Sequence, residues 1–70
     1  MPTEPVTVDK PEHPLYALTT YELKDYRRQL EQAIGYYIAN HPDAPVLASL
    51  RRTLGDVLAE QDDRARAARG

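Results

Sequence analysis

Leu23, Tyr26, Leu30, Ala33 and Tyr37 recur at steps of three and four, the spacing that keeps apolar side chains on one face of a helix. Leu47, Leu50, Leu54, Val57 and Gln61 repeat the pattern after a break at Asn40, His41, Pro42 and Asp43. So short a link makes consecutive helices antiparallel neighbours. The pattern predicts an all-α fold: an antiparallel two-helix hairpin with helices over about residues 20–39 and 44–66.

The helix ends can be read from local chemistry. Thr19 and Glu22 have the spacing of a capping box, and Leu18 and Leu23 stand where a hydrophobic staple closes across it. At the far end, Asn40 can take the left-handed conformation that terminates a helix, and Pro42 blocks continuation. Asp43 is the expected cap of the second helix, with Pro45 tolerated in a first turn whose amides lack partners. Past Leu58 the apolar stripe stops, so the chain is expected to fray by about residue 66, leaving 67–70 as a tail.

Folding the chain at the link brings together positions whose numbers sum to about 83 or 84. Tyr37 then faces Leu47, Ala33 faces Leu50, Leu30 faces Leu54, and Tyr26 faces Val57. The same register sets Arg27 opposite Asp56, Glu31 opposite Arg52, and Lys24 opposite Glu60. Exposed ion pairs contribute only about 0–1 kcal/mol each, so they would specify alignment more than stability.

Ahead of the hairpin, Pro2, Pro5, Pro11 and Pro14 remove backbone donors every few positions. Residues 1–18 are therefore expected to be an extended or disordered arm, free or laid along a partner, with residues 19–66 as the hairpin. Val6, Thr7 and Val8 are its one strand-like patch.

A core this small seldom supplies more than a few kcal/mol. Ile34, Ile38, Val46 and Leu58 also lie beside the seam, widening the apolar surface beyond what one partner helix covers. The sequence thus predicts self-association, a homodimer in which two hairpins form a four-helix bundle. Gly35 and Gly55 sit inside helices at a cost of about 1 kcal/mol against alanine. Either they admit a ring from the facing helix or a second subunit, or they are tolerated surface positions.

Composition narrows the chemistry. With no cysteine there are no disulfides, thiolate metal sites or cysteine nucleophiles. The first residues contain no apolar run, and no stretch approaches the roughly 20 apolar residues of a membrane span. A cytoplasmic location is expected, with neither membrane nor metal as a partner. The only histidines, His13 and His41, each precede a proline and lack the further ligands a metal needs. Neither a phosphate loop nor a paired-carboxylate cleft is present, so no cofactor and no catalysis are expected.

Nine basic and eleven acidic residues, well mixed, give a net charge of −2 and no long-range attraction for nucleic acid. Arg27 with Arg28, and Arg51 with Arg52, are nevertheless two basic pairs that could meet phosphates in a dimer. The five tyrosines are the only aromatics, and tyrosine is enriched at interface hot spots. Tyr36 points away from Tyr37 on a helix, so it and Tyr21 join Ile34, Ile38, Val46 and Leu58 as interface candidates. The expected function is a non-catalytic protein-interaction module, a small adaptor or regulatory subunit that binds itself and another protein. Two alternatives are an accessory or cement subunit of a large assembly such as a virus particle, and a small DNA-binding regulator.

Overall fold

The computed structural model describes Val8 and residues 11–69. Helix α1 runs Thr20–Asn40 and helix α2 Val46–Arg69, packed against each other as an antiparallel hairpin. A short 3-10 turn, Leu15–Ala17, precedes them and rests on α2.

The start of α1 is the capping box that its sequence specifies. The Thr19 Oγ1 accepts from the Glu22 N–H at 3.0 Å, and the Glu22 Oε1 accepts from the Thr19 N–H at 2.9 Å. Two helix-end donors are thereby satisfied. The bond from the Thr19 backbone holds the Glu22 carboxyl below its ordinary pKa of 4.5. Leu18 and Leu23, the expected staple, are both buried in one cluster.

The other helix ends depart from expectation. Asn40 does not turn left-handed, since no described non-glycine residue has positive φ. Its side-chain amide donates instead to the Tyr36 carbonyl at 2.9 Å, and the His41 N–H closes the end on the Tyr37 carbonyl at 2.7 Å. The His41 bond satisfies the first carbonyl beyond the helical ladder, that of Tyr37, without a change of backbone hand. Helix α2 begins at Val46, later than 44, and the Asp43 side chain makes no hydrogen bond among the described residues. The turn is carried by backbone bonds, from Ala44 N–H to His41 O and from Leu47 N–H to Ala44 O.

The seam contains the anticipated residues. Leu23, Tyr26, Leu30 and Ala33 of α1 and Leu47 and Val57 of α2 are buried, with Leu50 and Leu54 packed half-buried against them. Burial pushes the Tyr26 phenol above its ordinary pKa, because the phenolate would lose its water. The anticipated cross-helix ion pairs do not form. Arg27 meets Glu31 on its own helix at 3.6 Å and donates to the Gln61 Oε1 at 3.0 Å across the seam. Lys24, Asp56 and Arg52 enter no ion pair among the described residues.

Side-chain direction explains the failure. A helical side chain leans toward the N-terminus of its own helix, so in an antiparallel pair two directly opposite tips lean apart. Arg27 and Gln61, offset by about one turn, lean toward each other.

The residues just before α1 belong to the fold. Leu18 is 4% exposed within the core cluster, and Leu15 and Val8 pack against it. The segment expected to be an arm is therefore docked from its last turn, while residues 1–7, 9 and 10, including Val6 and Thr7, lie outside the described residues. This docking also corrects the expected fraying of α2, which is helical to Arg69. Arg64 is occupied by the segment and by Glu60 at 2.8 Å, and Arg66 pairs with Asp62.

The glycines do not admit a facing ring: a Cβ on Gly35 or Gly55 would meet nothing within 4 Å. Within one copy both are surface positions.

Candidate interaction surface

The hairpin has two long flanks, set by winding. At about 100° per residue, Ile34 and Ile38 lie about 60° to 100° round α1 from the centre of its seam, in the direction of increasing residue number. Leu58 lies about 60° round α2 in the same sense. Antiparallel neighbours wind in opposite senses when viewed from one end, so displacements of the same sign reach the same side of the hairpin. Thr53, Glu60 and Arg64 are displaced the other way and lie on the opposite side.

Residues 11–18 cover that opposite side. Pro11, His13, Pro14 and Leu15 line a groove with Tyr26, Thr53 and Asp56, of about 210 Å³. The Arg64 Nη2 donates to the carbonyls of Leu18 at 2.7 Å, Leu15 at 3.2 Å and Tyr16 at 3.4 Å, while its Nε donates to Glu60. The side with Ile34, Ile38 and Leu58 has no such cover. Ile34 is half-buried, Ile38 is 48% exposed and Leu58 40%.

The six interface candidates do not form one patch. Ile34, Ile38 and Leu58 share the open flank. Val46, 41% exposed, and Tyr36 lie on the other flank near the turn. Tyr36 does not face away from its neighbour as expected. Its ring meets Tyr37 edge-to-face at 5.3 Å, and both rings approach His41. Such a contact is favourable for aromatic quadrupoles, and here it closes the turn end. Tyr21, 79% exposed, is on the back of α1.

The arginine pairs are separated in role. Arg28 pairs with Asp25 at 2.8 Å and Arg27 with Glu31, whereas Arg51 and Arg52 are exposed without an ion pair among the described residues. Tyr21, Lys24, Asp25, Arg27, Arg28 and Glu31 enclose a furrow of about 400 Å³. All six belong to one convex helix, so the furrow lies among long side chains and is open to water.

Arg64 is the functional-looking residue that sequence reasoning missed. Glu60 and Arg64 have the favourable helical i, i+4 order. That spacing announces a local pair but gives no sign of a carbonyl 46 residues away. Among the described residues, no group of three or more His, Asp or Glu side chains could hold a metal ion. No described helix is long and apolar enough to cross a membrane. No family model, no curated protein and no solved structure matches the chain.

Proposed function

We propose that the chain is a non-catalytic interaction module that works as a homodimer, joined through the open flank of Ile34, Ile38 and Leu58. The observation that carries this reading is that Ile34, Ile38 and Leu58 share one flank, Ile38 48% and Leu58 40% exposed, while residues 11–18 lie along the other. A domain normally buries its apolar faces between at least two layers, and this chain has one layer of helices with a segment on one side. Its extents are 46 × 21 × 16 Å and its radius of gyration is 13.6 Å, against about 11 Å for a compact domain of this length. It exposes 5517 Å², where a compact monomer of 7.9 kDa exposes about 4,400 Å².

The rim of the open flank favours a second copy as occupant. Arg27 and Glu31 edge it on α1, and Arg51, Asp62 and, in the last turn, Arg69 on α2, so the rim carries both signs of charge. A two-fold contact sets a surface against itself, so a rim of mixed sign can pair with its own copy where a single-sign rim would repel. Two hairpins joined there form a four-helix bundle with Leu54 beneath the new seam. The double substitution Ile38→Glu, Leu58→Glu tests this by size-exclusion chromatography with light scattering. The unaltered chain should elute at twice the mass of the variant, whereas equal masses would refute the proposal. A regulatory or adaptor role, with another protein bound by the dimer, follows as the functional class. The nucleic-acid reading is weakened by the acidic partners that Arg27 and Arg28 already hold.

A further inference from the structure

The open flank is unlike at its two ends. Ile38 and Ile34 stand about 3 Å and 9 Å along α1 from the turn, and Glu31 and Arg27 about 14 Å and 20 Å. The apolar half of α1 is therefore the half nearer the turn, and the charged half lies toward its capped start. On α2, Arg51 stands about 8 Å from the turn, Gly55 and Leu58 about 14 Å and 18 Å, and Asp62 about 24 Å.

Two such layers, packed face to face with their helices aligned, can be related by a two-fold axis in two ways. An axis across the helices reverses the second copy and lays each α1 on the other α1. Full overlap then sets Ile34 and Ile38 on the charged half of the other copy. It also brings the two Glu31 side chains, near the middle of α1, against each other, and like charges so placed repel. An axis along the hairpin puts both turns at one end and lays each α1, antiparallel, on the α2 of the other copy.

We propose, on the dimer reading above, that the second copy docks in this second way, turn beside turn. Ile34 and Leu58 then lean toward each other across the contact, as side chains offset by about a turn or more do between antiparallel helices. The methylenes of Arg51 lie at the height of Ile34 and Ile38 and cover them, with the guanidinium left in water. Gly55 stands at the height of Glu31, and its lack of a side chain leaves that carboxylate room at the rim. Arg27 and Asp62, whose side chains are 43% and 64% exposed, lean together in the same sense as Arg27 and Gln61 within one copy. The dimer is then polar. One end carries both turns with their Tyr36, Tyr37 and His41 rings, and the other carries both capping boxes.

The test uses a single spin label. The chain has no cysteine, so Asp43→Cys, at an exposed position of the turn, accepts one nitroxide per copy. Pulsed dipolar EPR measures the separation, and light scattering on the same sample gives the mass. Turn beside turn, with helix layers about 10 Å apart and two label arms, predicts a dimer with labels less than about 25 Å apart. A reversed copy would part the turns by at least the length of α1, about 30 Å. A dimer with labels farther apart than about 30 Å overturns this orientation and leaves the dimer standing. A labelled chain of single mass without dipolar coupling overturns the dimer reading and the orientation with it.

Discussion

The two flanks of the hairpin differ in what borders them: Ile34, Ile38 and Leu58 stand on one, and Thr53, Glu60 and Arg64, with Tyr36 and Val46 near the turn, on the other. Along the latter, Leu18 and the residues before it pack onto the seam residues Leu23, Tyr26, Leu30 and Val57, while Val46 near the turn stays 41% exposed. On the other, Ile38 and Leu58 remain 40% or more exposed. What separates them is a segment of the chain that arrives on one side only. The bare flank is therefore a property of chain topology, and polarity along the helices alone does not reveal which side is covered.

Substitutions on the two sides should separate them further. The largest effect is expected on the covered side, where Leu18→Ala leaves a hole in the core cluster. Truncating a buried leucine costs about 2–5 kcal/mol, comparable with everything a core of this size contributes. Urea titration should show the variant largely unfolded. On the bare side, Leu58→Ser should cost a single hairpin about 1 kcal/mol, since the leucine is 40% exposed and loses only part of its burial. Its main effect should fall on association, at least a tenfold weaker dimer in a dilution series. Equal effects of the two substitutions on unfolding at a concentration where the chain is monomeric would erase the distinction between the flanks.

A smaller effect attaches to the cap that places residues 11–18 at the head of α1. Glu22 has its carboxyl pKa lowered in the folded state, so its contribution is present in full above the unfolded value of 4.5. It is lost as pH falls below 4.5 through the folded value. Glu22→Gln keeps an acceptor for the Thr19 N–H and cannot titrate. The advantage of the unaltered chain over this variant in thermal melts should therefore shrink through that acid window and be absent below it.

The smallest effect belongs to Gly35. A methyl there meets nothing within 4 Å and the position lies on the back of α1, away from both flanks. Gly35→Ala should stabilise the hairpin by about 0.5–1 kcal/mol through helix propensity, with no change in association. A loss of association would place a second copy on the back of α1 and move the interface away from the proposed flank.

How much of this was legible in the sequence depended on the range of each interaction. The capping box at Thr19 and Glu22 spans three residues, and its geometry is dictated locally, so it could be read directly. The seam could be read because its two series of apolar positions need only a short link to meet. The charges misled, since opposition in register takes no account of the lean of helical side chains. Arg27 reaches Gln61 for that reason, and the anticipated Asp56 is left behind. Asn40 misled differently: an amide can terminate a helix by its backbone or by its side chain, and its identity does not say which. The docking of residues 11–18 was the real omission. Arg64 looked like a charged residue in a fraying tail, because its partners are bare carbonyls far away in the chain and carbonyls carry no sequence signature.

The interface candidates show the same division. Periodicity placed Ile34, Ile38, Val46 and Leu58 beside the seam, which they are. Sorting them into flanks needed the sense of winding in each helix. That step leaves Ile34, Ile38 and Leu58 as the surface on which the functional proposal rests.

Sedimentation equilibrium of the intact chain across micromolar concentrations tests that proposal most directly. The account predicts a reversible association whose limiting mass is twice 7.9 kDa. A helical species that stays at 7.9 kDa throughout the range would contradict it.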